Sequence, residues 1–275
     1  MNEFIERDSP EMMELSEVRS FAEGLSKRAG EMIMAGRDKA QSREYKSRTD
    51  YRITLDREVN EYLNAEIARK YPGHNIYSEE LPAVIHESGY SWINDPLDGT
   101  FNWENDIIPL FTNSLGFAKG RDVTVGAVTM PATGEHFSAQ KGMGAYLNGK
   151  KISVSNETEI RKAMIAMDFG KVNRQRGVRH LERLLADDGV KYPVVYASTS
   201  AAIMQVAKGK LQAYISLGAE PWDYAGSVVI AREAGARVTN IDGKEWELGD
   251  DSAIIAHPKL HEQFLAKFAD LKTAA

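Results

Sequence analysis

A chain of 275 residues, 43% apolar and 27% charged, is long enough to bury a sizeable core in one large or two small domains. Its formal net charge of -6 argues against a nucleic-acid backbone as the main partner, and an acidic chain that handles an anion needs a local positive source such as a bound metal. With no cysteine, disulfides, thiolate metal sites and a cysteine nucleophile are excluded. No apolar run is long enough to span a bilayer and the acidic N-terminus has no signal-peptide pattern, so a cytoplasmic protein without membrane contact is expected.

In chain order, residues 9–40 predict a long amphipathic helix, opened by Ser9-Pro10, with Leu15, Val18, Ala22, Leu25, Ala29 and Ile33 on one face. Residues 41–50 are polar and basic (Arg43, Lys46, Arg48) and fit either a solvated loop or a flap near a site. Thr54-Leu55-Asp56 opens a second helix to about Tyr71, buried through Val59, Tyr62, Leu63 and Ile67; Asp56 by itself fits a helix cap. After a turn at Pro72-Gly73, a short strand from Ile76 ends in Glu79-Glu80.

The most informative stretch follows. Tyr90, Trp92 and Ile93 predict a buried strand, and Pro96 is expected to stop it at Asp95. Asp95 and Asp98 then bracket a stiff turn, where two carboxylates repel each other unless a cation lies between them. Oxygen ligands of this kind point to Mg2+ rather than zinc. Gly99 permits close backbone approach, and Thr100 adds a hydroxyl and an amide. Taken alone, the stretch also fits an ordinary surface turn. Glu79 and Glu80, ending a neighbouring strand, add acids to the same region.

Residues 101–106 predict a polar loop, followed by strands at 112–118, 123–130 and 135–139 in an antiparallel meander. Asn148-Gly149 predicts a hairpin turn before a strand at 152–154. A boundary is expected there, dividing an α+β metal-binding unit (1–149) from an α/β unit (150–275) that completes the site. The second half predicts strands at 163–167, 194–197 and 213–215, with helices at 178–186 and 201–207. Glu220-Pro221-Trp222-Asp223 leads into a helix to about Ala234. Asp223 in its first turn suits the helix dipole, which is reason enough for an acid there. Strands at 237–241 and 253–256 and a terminal helix from Pro258 close the chain. There is no H-E-x-x-H, G-x-S-x-G or P-loop, which disfavours a zinc protease, a serine hydrolase and a nucleotide kinase.

Asp56, Glu79-Glu80, Asp95-Pro96-Leu97-Asp98-Gly99-Thr100 and Trp222-Asp223-Tyr224-Ala225-Gly226, in this order, resemble the inositol monophosphatase family. The resemblance implies a layered α-β-α-β-α sandwich of the inositol monophosphatase and fructose-1,6-bisphosphatase type, usually a homodimer. It also implies a lithium-sensitive phosphatase that hydrolyses a small phosphorylated metabolite with two or three Mg2+ ions. By motif, Glu79, Asp95 and the carbonyl of Leu97 would hold one metal; Asp95, Asp98 and Asp223 a second; Glu79 a weaker third. Asp56 and Thr100 would pair by a hydrogen bond to position and deprotonate the attacking water. Gly99, Thr100, Ser200, Ala201, Ser216 and Asp223 would meet the substrate. Three positions depart from the pattern. Ser216 replaces a substrate-binding glutamate, Thr199 a glycine before the Ser200-Ala201-Ala202 stretch, and Ser78 a glycine before the two glutamates. Fructose-1,6-bisphosphatase, histidinol phosphatase, 3′-phosphoadenosine 5′-phosphate phosphatase and a non-enzymatic RNA- or protein-binding member of the fold remain open alternatives.

Overall fold

The structure is a computed structural model that describes residues 10–46, 51–170 and 174–271. Helix α1 (Pro10–Ala35) is followed by a small hairpin of β1 (Arg43–Tyr45) and β2 (Tyr51–Ile53), then by α2 (Thr54–Lys70). A seven-stranded sheet runs in the order β3 (Asn75–Ser78), β4 (Tyr90–Asp98), β5 (Thr112–Lys119), β6 (Asp122–Met130), β7 (Glu135–Gln140), β8 (Gly144–Leu147) and β9 (Lys150–Lys151). Only the β3–β4 pair in it is parallel. Helix α3 (Thr100–Asn105) lies between β4 and β5. A five-stranded sheet contains β10 (Met164–Asp168), β11 (Tyr192–Val194), β12 (Ala213–Leu217), β13 (Arg237–Thr239) and β14 (Ser252–Ala256), in the order β11-β10-β12-β14-β13. Its helices are α4 (Arg174–Leu185), α5 (Thr199–Ala207), α6 (Pro221–Glu233) and α7 (Pro258–Lys267).

The apolar stripes decide the stacking. Val18, Ala22, Leu25, Ala29 and Ile33 of α1, with Val59, Leu63 and Ile67 of α2, pack on Trp92, Leu115, Phe117, Val125 and Ala127 of the large sheet. The other face of that sheet meets α5 and α6, which are apolar all round because a second sheet covers them from behind. Leu184 of α4 and Leu260 and Phe264 of α7 cover the far side of the small sheet against Ile165, Ile215 and Ile254. The result is the expected α-β-α-β-α sandwich. The contact between α6 and the large sheet is unusually close: a Cβ built on Gly126 would fall 2.1 Å from the Gly226 carbonyl oxygen.

Several local expectations change. Strand β4 does not stop at Pro96 but continues to Asp98. Its register with β5 skips between Asp95 and Asp98, and the Asn113 side-chain amide donates to the carbonyls of Asp95 and Pro96 at 3.0 and 3.2 Å. An irregular edge of this kind accommodates a residue without an N–H. Residues 100–105 form α3 instead of a loop, because Gly99 at φ 90° reverses the chain into it. Residues 152–154 form no strand: the Ile152 N–H goes to Ala145 O and the Val154 N–H to Ala234 O, two different elements rather than one ladder. Strand β11 ends at Val194, and Ala197, expected within it, sits at φ 53°. Asn148-Gly149 forms the expected two-residue turn, with φ 48° and 77°. Ser9 and Arg48 lie outside the described residues.

Candidate active site

The site is built where strand β4 ends beside two helix starts. Apolar Trp92 and Ile93 anchor β4 in the cores on its two faces, so its last residues are carried into the interior with little freedom. Asp95 is 1% and Asp98 8% exposed, an unusual burial for acids. Asp95 Oδ1 accepts the Leu97 N–H at 3.0 Å, which locks the turn around Pro96. Helix α5 begins against Asp98. The Ser198 hydroxyl and the Ser200 N–H donate to Asp98 Oδ2 at 2.7 Å each, and the Thr199 N–H donates to Oδ1 at 3.2 Å. The amides of this first turn have no partner within their own helix, so a carboxylate satisfies them. Helix α6 brings Asp223, whose Oδ2 accepts the Glu220 N–H at 2.8 Å as an N-terminal cap. Ser200 Oγ donates to the Asp223 carbonyl at 2.9 Å and ties the two helix starts together.

Asp95, Asp98 and Asp223 each place one carboxylate oxygen within 4.8 Å of the others. Such a set can hold a hard divalent cation. The electrostatics fit that occupant. Burial pushes the Asp95 carboxyl well above its ordinary range, and Glu79, Asp98, Asp223 and Asp56 push it further. Burial raises Asp98 to about 6, against the opposing hydrogen bonds from Ser198, Ser200 and Thr199. The charged neighbours that act on Asp95 most strongly are all acids, which a bound cation would balance.

A cavity of about 300 Å³ opens on this cluster. Glu79, Asp95, Leu97, Asp98, Gly99, Thr100 and Asp223 line it as a group, drawn from three separate stretches of chain. Glu79 also receives the Lys46 ammonium at 3.0 Å, while Glu80 is buried and held by Lys46 and Arg52. Burial alone would lower the Lys46 pKa, but the two glutamates raise it above its ordinary value.

Other expected site residues are placed differently. Asp56 and Thr100 are not hydrogen-bonded to each other. Asp56 Oδ2 accepts the Ile53 N–H at 2.8 Å at the start of its own helix, and its Oδ1 is buried with no partner. The Thr100 hydroxyl instead donates to Leu97 O, three residues back, at 3.0 Å. Ser200 and Ala201 are fully enclosed and do not line the cavity; the Ser200 amide serves Asp98, and the Ala201 amide is capped by Ser198 Oγ at 3.3 Å. Ser216 is fully buried in β12, beside the side chains of Tyr214 and Tyr224, and does not line the cavity. Asp168, Tyr51, Phe101, Ser198 and Thr199 line it unexpectedly. Asp168 ends strand β10, as Asp98 ends β4, and an acid at a strand end was a readable signal; Ser198 had none beyond being a helix-start residue.

The match to the family model described as inositol monophosphatase covers residues 14–273. Inositol monophosphatase 1 of Solanum lycopersicum is 30% identical over 260 residues, 91% of this chain and 94% of that protein. A protein of Aquifex aeolicus named fructose-1,6-bisphosphatase/inositol-1-monophosphatase is 30% identical over 236 residues, 85% and 87% of the two chains. The structure of the Thermotoga maritima IMPase superposes with a TM-score of 0.82 at 25% identity, over 93% of this chain and 98% of that one. The ordered acidic motifs, the five-layer fold and these matches along nearly the whole length lead to one assignment: the chain belongs to the inositol monophosphatase family of phosphoric monoester hydrolases.

Proposed function

We propose that this protein hydrolyses a small phosphate monoester to an alcohol and inorganic phosphate with two to three Mg2+ ions, and that lithium inhibits it. One observation carries the reading: acids from separate elements, Glu79 after β3, Asp95 and Asp98 on β4 and Asp223 on α6, share one cavity. Glu79, Asp95 and Leu97 O would hold one ion, Asp95, Asp98 and Asp223 a second, and Glu79 a weaker third. Bound divalent ions supply Lewis-acid charge neutralisation and make a coordinated water a better nucleophile.

The chain's own groups do the rest. Asp56 Oδ1, buried without a partner but outside the cavity lining, would take the nucleophile's proton by way of Thr100. Leu97 O would hold a cation, and Thr100 Oγ, which donates to that carbonyl here, would then be free to orient the nucleophile. The amides of Gly99 and Thr100 face the phosphate. Asp168 accepts hydroxyls of the alcohol part in place of Ser216, and Phe101, half-exposed at the rim, limits solvent access. The groove continues past Gly218, Ala219 and Asp223 into a hollow of about 460 Å³ that Arg176 also lines. A second reading, hydrolysis of a sugar bisphosphate such as fructose 1,6-bisphosphate, rests on the name of the Aquifex aeolicus relative, since Glu220, Asp223, Asp250 and Asp251 outnumber Arg176 in that hollow. A cytoplasmic homodimer completes the proposal; no helix among the described residues is long and apolar enough to cross a membrane.

A phosphate-release screen tests this directly, with inositol phosphates, sugar mono- and bisphosphates, histidinol phosphate and adenosine bisphosphates, each with Mg2+ and with EDTA. Turnover that requires Mg2+ is expected. Asp98→Asn should keep the fold and lower kcat by about 100-fold or more, since it removes one charge from the ion site. No release from any substrate at any metal level would favour a non-enzymatic role.

A further inference from the structure

A second polar cavity, of about 320 Å³, lies under α1, on the face of the large sheet opposite α5 and α6. Its volume is at the low end of small-molecule sites. Arg19, Glu23, Ser26 and Lys27 of α1 form one wall; Thr129, His136 and Ser138 of β6 and β7 form the floor.

Three donors in it lack acceptors. The Arg19 Nε–H is buried and makes no hydrogen bond; its only contact with an acid is a long ion pair to Glu23 Oε1 at 3.5 Å. The Arg19 guanidinium lies 5.7 Å over the Tyr146 ring, which steadies it. Lys27 has no ion pair or hydrogen bond among the described residues. The third donor follows from proton bookkeeping. Ser26 Oγ donates to Thr129 Oγ1 at 2.9 Å, so the single Thr129 hydroxyl proton points on to His136 Nδ1 at 3.2 Å. Burial and the nearby Lys27 lower this ring's pKa, and a neutral ring that accepts at Nδ1 carries its proton on Nε2, which has no partner among the described residues. Glu31, close by, is already engaged by Arg28 at 2.6 Å. Two cations and a neutral N–H donor thus face one cavity with a single acid in its lining. The buried Arg19 Nε–H calls for an acceptor, and the Lys27 ammonium and His136 N–H beside it favour an anionic one.

We propose that the α1 cavity binds a phosphate group, free or carried by a small metabolite, at a site separate from the acidic cavity. The test uses the full chain stripped with EDTA, titrated calorimetrically at pH 7.5 with inorganic phosphate and, separately, with glycerol phosphate. Without metal, Glu79, Asp95, Asp98, Asp168 and Asp223 repel phosphate from the acidic cavity, so binding reports on the α1 cavity. One saturable site is expected. Tighter binding of glycerol phosphate would identify a metabolite-borne group, and equal binding the free ion. Arg19→Gln and Lys27→Gln should each weaken it by about tenfold with little change in melting temperature, since Lys27 is exposed and the partly exposed Arg19 has only the 3.5 Å pair with Glu23 to lose. Lys46→Gln, removing the cation beside Glu79, should leave it unchanged. No saturable binding up to about 10 mM, persistence in the double Arg19/Lys27 variant, or loss in Lys46→Gln would each overturn the proposal.

Discussion

Asp95 is enclosed by protein, and the charges that act on it most strongly come from Glu79, Asp98, Asp223 and Asp56, all acids. A side chain in that position lowers the stability of the metal-free fold, because its ionised form is both desolvated and repelled. Asp95→Asn keeps an acceptor for the Leu97 N–H and removes the charge. The metal-free variant should therefore melt higher than the parent, by about 2–4 °C for each kcal/mol of penalty relieved. It should also lose most of the stabilisation that Mg2+ gives the parent. A thermal melt with and without Mg2+ decides it: a variant that melts lower than the parent without metal would contradict the argument.

The two helix starts set the site's precision. Helix α5 fixes both oxygens of Asp98, and α6 fixes Asp223, so neither acid swings freely when a cation arrives. The height of α6 is fixed in turn by Gly126 and Gly226, which let helix and sheet backbones touch. Gly126→Ala puts a methyl 2.1 Å from the Gly226 carbonyl, rigid backbone that cannot rotate away. The variant should lose about 3 kcal/mol or more by denaturant titration, the upper end for overpacking. Displacing α6 also carries Asp223 outward, so the surviving folded fraction should bind Mg2+ more weakly. Unchanged stability would mean that the layers have slack.

Across the whole molecule, ionisation and metal binding are linked. A folded-state carboxyl pKa above the unfolded value of about 3.9 means that the native chain binds more protons, so stability falls as pH rises through it. Asp98 does this up to about 6, and Asp95 and Asp56, both raised by burial, act in the same direction. Buried His261, lowered to about 4, acts oppositely: its contribution grows as pH rises toward its unfolded value. It lies on α7, away from the acidic cavity, and cancels when melts with and without Mg2+ are compared. The Mg2+-dependent rise in melting temperature should therefore be small at pH 5 and increase through pH 6, as Asp98 releases its proton. A rise independent of pH would show that these carboxyls are not the ligands.

The sequence by itself determined the fold class and the acid set. The helical stripe of α1, the alternating strands and the Asn148-Gly149 turn are local patterns, and local patterns survive without knowledge of the neighbours. The acidic motifs were legible because carboxylates at strand ends and helix starts have few purely structural uses in such number. Only the tertiary structure decided which of these groups share a cavity. Asp56 turned one oxygen to its own helix, Thr100 bonded Leu97, and Ser216 was buried while Asp168 took a place on the lining. The donors gathered beneath α1 were invisible for the same reason. Arg19, Lys27 and His136 are ordinary residues far apart in sequence, and each gains meaning from the partners that packing brings near and those it withholds.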